Sequence, residues 1–330
     1  MASSADIPAT LREIIEHKRA EVEAAKAARP LKELEVEVAQ AEPPRNFFAA
    51  VAHPKPGHTA IIAEIKRKSP SAGWIRESYQ NGFEPEVIAQ SYSEGGASAI
   101  SCLTDEKFFA GHLSFIERVK AACPLPVLRK DFIIDPWQLW EARAAGADAV
   151  LLIAECLTES EIVDMLILGR QLQLTTLLEV HSMDNLLRVR PHVGFPHRGY
   201  NLLGINNRDL ATMTTDLAHT TRLVDLVDDR SVLVSESGIK TPADLARLRR
   251  DGVRIALVGE HLMRHEDPGA ALTELLADPF ADDPSTPENV ARREGRPAPG
   301  EPRTNKPSSN NPGSNNPGSN TEQPPPKDDT

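Results

Sequence analysis

The stretch Ala60-Ile61-Ile62-Ala63-Glu64-Ile65-Lys66-Arg67-Lys68-Ser69-Pro70 decides the fold. Its first half is a short apolar run, the pattern of a strand buried on both faces of a parallel sheet. A doubly wound nucleotide-binding sheet would follow that strand with a glycine-rich fingerprint. Here Arg67-Lys68-Ser69-Pro70 stands in its place. Working outward, seven more runs repeat the rhythm: Ser98–Leu103, Val127–Asp131, Ala149–Ala154, Thr175–Val180, Leu202–Asn206, Val232–Glu236 and Ile255–Val258. Helix candidates lie between and after them, near 85–94, 112–121, 136–145, 158–171, 182–190, 216–227, 241–250 and 268–276. Eight strand–helix units in about 220 residues predict an α/β fold, a (β/α)8 TIM barrel over residues 59–278.

Local signals punctuate these units. Thr158 and Glu161 have capping-box spacing, and Pro136, Pro242 and Pro268 suit first-turn positions. Gly146, Gly169 and Gly252 suit helix ends. Upstream, Ile7, Leu11, Ile14, Ile15, Lys18, Val22 and Ala25 share one helical face, predicting an amphipathic helix over 7–28 that Pro30 ends. A short second helix is expected to start near Arg45 and carry Phe47 and Phe48. Residues 1–58 thus read as an N-terminal helical extension of the barrel.

The 330 residues overstate the folded length. Of 27 prolines, 11 lie in the last 50 residues, and Ala281–Thr330 holds only four apolar letters, at Ala281, Val290, Ala291 and Ala298. Such a segment cannot bury enough apolar surface to offset its ordering entropy. Residues 279–330 are therefore expected to be a disordered tail rich in Pro, Asn, Gly and Ser. It repeats Asn-Asn-Pro-Gly-Ser at 310–314 and 315–319. The net charge of −11 argues against a nucleic-acid surface, which needs clustered positive charge. No run of eighteen apolar residues suggests a membrane span. Met1–Thr10 lacks the pattern of a secretory signal, so the cytoplasm is the expected location. Cys102, Cys123 and Cys156 lack metal-type spacing and read as small buried hydrophobes in a reducing compartment.

Buried parallel strands should be apolar throughout, yet most of these end in charge or amide. The carboxyl ends of barrel strands form the active-site face. Residues two apart share a face of a strand. That alternation pairs Glu64 with Lys66, sets Lys130 on the face of Leu128, and puts Glu179 in register with Leu177. It places Gly204, Asn206 and Arg208 together, and sets Glu236 on the face of Val232 and Val234. If these faces are inward, the mouth gathers two lysines, three glutamates, an asparagine and an arginine. Buried ionised groups cost several kcal/mol each unless paired, so function explains the set better than stability does.

Ser237-Gly238 follows the seventh strand, and Gly259 follows the eighth before a short helix candidate through Arg264. These loops either bind phosphate through backbone N–H groups or simply make tight turns, and spacing does not choose. His181 follows Glu179 closely and reads as an ordinary loop residue. Trp74, Phe108 and Phe109 sit in the first two loops, where contact with a ring substrate competes with plain packing.

AEIKRKSPSAG at 63–73, LRKDFIID at 128–135, LLEV at 177–180, GINNRDL at 204–210, SESGI at 235–239 and LVGEHLMR at 257–264 together resemble the indole-3-glycerol-phosphate synthase family. The resemblance spans roughly residues 5–275 and leaves the tail outside. It implies a carboxy-lyase of tryptophan biosynthesis that needs no cofactor or metal. The reaction converts 1-(2-carboxyphenylamino)-1-deoxyribulose 5-phosphate to indole-3-glycerol phosphate, carbon dioxide and water. The implied partner is a small phosphorylated molecule; association with other pathway enzymes is left open.

The resemblance assigns roles residue by residue. Lys130 is the general acid of ring closure. Lys66 meets the substrate carboxylate and is a candidate donor to the leaving hydroxyl, Glu179 is the acid/base of dehydration, and which lysine protonates which oxygen stays open. Glu64 and Glu236 orient and balance the lysines, while Asn206 holds a substrate hydroxyl and keeps geometry with Glu64. Arg208 lies beside the carboxylate, and Phe109 and Phe132 flank the aromatic ring. Phosphate falls to Ser237, Gly238, Gly259 and Glu260, with Lys68 and Ser69 nearby. Many relatives carry a small hydroxyl residue after the last glycine, where this chain has Glu260 then His261. Two rivals fit less well. Phosphoribosylanthranilate isomerases typically use a cysteine with an aspartate, and no cysteine here ends a strand with such a partner. A scaffold that recruits partners through its tail would not need the acid–base set.

Overall fold

A computed structural model describes residues 8–55 and 57–277. Eight parallel strands close into a barrel: β1 (Ala60–Ile65), β2 (Ala99–Leu103), β3 (Val127–Lys130), β4 (Ala149–Ile153), β5 (Thr175–Val180), β6 (Asn201–Asn206), β7 (Leu233–Glu236) and β8 (Ile255–Val258). Strands neighbouring in sequence pair, and β8 closes on β1 with Ala60 opposite Ile255. Helices follow the strands as expected, from Pro85–Glu94 after β1 to Pro268–Leu276 after β8.

Alternation along the strands builds two cores. Ala60, Ile62, Ala99, Leu128, Ala149, Leu151, Leu177, Leu202, Val234, Ile255 and Leu257 pack together inside the barrel. Their neighbours Ile61, Ile100, Val150, Leu178, Leu203 and Ala256 pack outward against the helices. This layered filling makes the barrel a packed core rather than a pore.

Three helices precede the barrel: α1 (Ala9–Ala28), α2 (Leu31–Gln40) and α3 (Phe47–Ala52). Phe47 and Val51 of α3 join the inner core. The chain is tied down just before α3, where the Arg45 backbone N–H donates to Asp148 Oδ1 at 2.6 Å. The Arg45 guanidinium donates to the carbonyls of Lys120, Cys123 and Leu125. Ile7, the first residue of the expected apolar face, and the expected tail lie outside the described residues.

Three local expectations need correction. Pro30 ends α1 but also opens α2, a helix absent from the reading above. Proline costs nothing at a helix start, where its missing N–H has no partner anyway. Gly169 lies inside the helix Glu159–Gln171, not at its end. A Cβ there would come 2.9 Å from Thr176 Oγ1, so the glycine serves close packing of helix on strand. Pro136 precedes the first turn of its helix, whereas Pro242 and Pro268 occupy theirs. Among the described residues, no helix is long and apolar enough to cross a membrane.

Candidate active site

The inner alternation continues into charge. Glu64 comes two residues after Ile62, Lys130 two after Leu128, Glu179 two after Leu177 and Glu236 two after Val234, each predecessor being an inner-core residue. The chain therefore delivers these side chains to the carboxyl-terminal mouth. They line a cavity of about 840 Å³, within the ~300–1,000 Å³ common for small-molecule sites.

Two lysine–carboxylate groups face each other there. Lys130 Nζ lies 2.9 Å from Glu179 Oε2 and 3.8 Å from Glu236 Oε2. Lys66 Nζ lies 2.6 Å from Glu64 Oε1. Asn206 donates from Nδ2 to Glu179 Oε1 at 3.2 Å, so it keeps geometry with Glu179 rather than with Glu64 as expected. Its Oδ1 accepts the Arg208 backbone N–H at 3.0 Å. Gly259 matters by what it leaves out. A Cβ at this position would come 2.3 Å from Glu64 Oε1 and 2.8 Å from its Cβ, so only glycine lets β8 end against this carboxylate.

The two buried carboxylates beside Lys130 are driven apart. Burial alone would raise Glu179, but the Lys130 ammonium and the His181 ring override it and hold Glu179 well below the usual carboxylate range. Burial raises Glu236, and the adjacent Glu179 charge raises it further, past what Lys130 offsets. Neither Glu236 oxygen has a hydrogen-bond partner among the described residues. Burial opposes the charge on Lys130, yet Glu179, Glu236 and Glu64 keep its pKa above the ordinary lysine value. Lys130 and Glu179 thus form a charged pair, with the raised Glu236 carboxyl beside them.

The remaining expected residues surround this centre. Phe109 and Phe132 line the cavity with ring centroids 6.1 Å apart, tilted by 40°. Arg208 donates to Ser71 Oγ at 3.1 Å and Met213 O at 3.2 Å, and reaches Glu260 Oε2 at 3.3 Å. Glu260 also takes Arg264 at 2.7 Å, so its side chain is held by two arginines. Ser237 and Gly238, with φ of 67° and 84°, turn the chain after β7. Both line the cavity, as do Ser69, Gly259 and Glu260. Lys68 does not; its ammonium lies over the Trp74 ring at 5.8 Å, across a two-residue antiparallel ribbon.

Several lining residues were not expected in the site from sequence. Thr10, Leu11 and Ile14 bring α1 to the cavity wall, and Lys240 and Arg264 add cations. His181, read above as an ordinary loop residue, is buried against Glu179. Lys18 is also buried, its ammonium 3.0 Å from both Asp105 and Asp131.

The fold and site define a (β/α)8 barrel with acid–base groups gathered at its carboxyl-terminal mouth. The chain belongs to the indole-3-glycerol phosphate synthase family, whose profile matches residues 11–275. It is 46% identical to the indole-3-glycerol phosphate synthase of Rhodopirellula baltica, over 82% of this chain and 98% of that one. Identity to the same-named protein of Acidithiobacillus ferrooxidans is 45%, over 81% and 98%. A solved 3-hexulose-6-phosphate synthase superposes with a TM-score of 0.51 at 17% identity, covering 66% of this chain and 99% of that one. That likeness concerns the fold alone.

Proposed function

We propose that the chain is an indole-3-glycerol phosphate synthase acting through the Lys130–Glu179–Glu236 group. The observation that carries this is an ammonium 2.9 Å from an ionised carboxylate and 3.8 Å from a second, raised one, inside a cavity of about 840 Å³ at the barrel mouth. The substrate, 1-(2-carboxyphenylamino)-1-deoxyribulose 5-phosphate, carries a phosphate and a benzoate. Its benzoate meets Lys66 and Arg208, its phosphate the turns at Ser237–Gly238 and Gly259–Glu260, and its ring Phe109 and Phe132. Successive backbone N–H groups in such turns form anion cradles. The Glu260 side chain is held by Arg208 and Arg264, which suits a contact made by its backbone rather than its carboxylate.

In ring closure, the ring carbon bearing the carboxylate attacks the ketone carbon, and the ketone oxygen takes a proton from Lys130. Loss of carbon dioxide returns the bonding electrons to the ring. The new hydroxyl then leaves as water with a proton from an acid, Lys66 or the re-protonated Lys130. Glu179 removes the proton that completes the indole. Each positioned acid or base contributes roughly 10²–10⁴-fold. Asn206 holds Glu179 in place, and Glu64 balances Lys66.

The test is indole fluorescence after mixing the full chain with substrate. Wild type turns over, while folded Lys130→Met loses at least about 10²-fold. A folded wild type that forms no indole product would overturn the proposal.

A further inference from the structure

We infer that His181, clamped by Glu155, is a positioning residue that aims and charge-balances the Glu179 carboxylate. The inference rests on Glu179 being an acid–base group of the proposed reaction. His181 follows β5 two residues after Glu179, so alternation turns both toward the same side. Glu155, from the turn Ala154–Cys156 after β4, grips it twice. Oε1 accepts the His181 backbone N–H at 2.9 Å, and Oε2 lies 3.1 Å from Nδ1. Asn185 Nδ2 donates to the same Oε1 at 2.9 Å, fixing the clamp. The other ring nitrogen, Nε2, lies 3.2 Å from Glu179 Oε1, too far out of line for a hydrogen bond.

Both ring nitrogens thus lie within 3.2 Å of a carboxylate oxygen. A neutral imidazole offers one N–H and one lone pair, and a lone pair facing a carboxylate is repelled; the imidazolium suits both ends. Burial disfavours that charge, but Glu155 and Glu179 outweigh burial and raise His181 above the ordinary histidine value, against opposition from Lys130. Asp209 and His219, following β6, also interact with its charge, and Cys156 sits beside the Glu155 clamp. Glu179 therefore shares its two oxygens among Lys130, Asn206 and His181. Of these three, only the histidine can change charge between pH 5 and 8 or slightly above.

The experiment is steady-state kinetics of the full chain from pH 5 to 9.5 for wild type, His181→Gln, Glu155→Gln and Glu179→Gln. Wild-type kcat should fall on the alkaline side as His181 loses its proton, in a step above about pH 6.5 and below the lysine limb. His181→Gln should lack that step and lose about tenfold in kcat at pH 7 with KM within about threefold. Glu155→Gln keeps the ring but removes the group that raises it, so the step should move to lower pH. That variant keeps the test decisive if His181→Gln does not fold. A histidine that only fills space would leave the step in place. The inference is overturned if the alkaline step is absent from wild type, persists in His181→Gln, or stays put in Glu155→Gln. Glu179→Gln separates the two failures: if it is inactive while the step persists in His181→Gln or stays put in Glu155→Gln, only the role of His181 falls, and if it retains full turnover, the role of Glu179 falls with it.

Discussion

Replacing Lys18 with methionine should weaken both the fold and the site. The Lys18 side chain is 1% exposed, with its ammonium 3.0 Å from Asp105 Oδ2, 3.0 Å from Asp131 Oδ1 and 2.9 Å from Glu21 Oε1. Methionine keeps most of the apolar stem and removes the charge. Asp131 would retain Arg129 Nη2 at 3.1 Å and Thr104 Oγ1 at 2.6 Å. Asp105 fares worse. Its Oδ1 still takes the N–H groups of Phe108 and Phe109, but its fully buried Oδ2 has no hydrogen-bond partner among the described residues and loses its ammonium. Removing one partner of a buried pair costs ~3–5 kcal/mol, and the surviving Asp131 contacts place this case near ~3. At ~2–4 °C per kcal/mol for a chain of this size, Tm should drop by about 6–12 °C.

The same change should reach function. Leu11 and Ile14 sit on the helix that Lys18 anchors, Asp105 caps the short helix carrying Phe109, and Leu11, Ile14 and Phe109 line the cavity. KM should therefore rise more than kcat falls. Calorimetry and steady-state kinetics on the full chain read both effects. Adding Asp105→Asn should recover part of the loss, since the stranded charge is then gone. A Lys18→Met melting temperature within about 3 °C of wild type, or a double variant that loses the sum of the single losses, would refute the reasoning.

Three further outcomes follow from the same geometry. Glu179→Gln removes an ionised group and should lower kcat by at least about 10²-fold, whereas Glu236→Gln puts a neutral isostere where burial and Glu179 already raise the carboxyl, and should cost less than about tenfold; steady-state kinetics at pH 7 ranks them. Asp131 has its pKa lowered from 3.8 to about 2 by Arg129 and Lys18 against burial, so its contribution is complete above the unfolded value and is lost as pH falls toward 2. That is roughly 2 kcal/mol, and urea unfolding at pH 7 and pH 3 should show an acid loss that shrinks in Asp131→Asn. At low salt, inorganic phosphate should compete with substrate, and Ser237→Pro, which removes an N–H and cannot hold a φ of 67°, should weaken that competition at least about tenfold.

The barrel was legible because buried parallel strands leave little choice of residue. A charge at the end of an apolar run then stands out, and period two says where it points. Glu64, Lys130, Glu179, Asn206 and Glu236 follow that rule one after another. What sequence hid was pairing across long separations. Nothing local links His181 to Glu155, 26 residues earlier, or Lys18 to Asp131 on the far side of two strands. Lys18 was placed on the apolar face of its helix, but its partners were out of sight. The second helix was missed because a proline that ends one helix can begin the next. Lys68 looked like one more cation of the cradle, and only the antiparallel ribbon shows it turned to Trp74.

The most direct test is the structure of the protein with indole-3-glycerol phosphate bound. The account predicts phosphate on the backbone of Ser237–Gly238 and Gly259–Glu260, the indole ring between Phe109 and Phe132, and Lys130 Nζ beside the ring carbon that once bore the ketone oxygen. Product seated elsewhere, or with its indole ring turned away from Lys130 and Glu179, would contradict it.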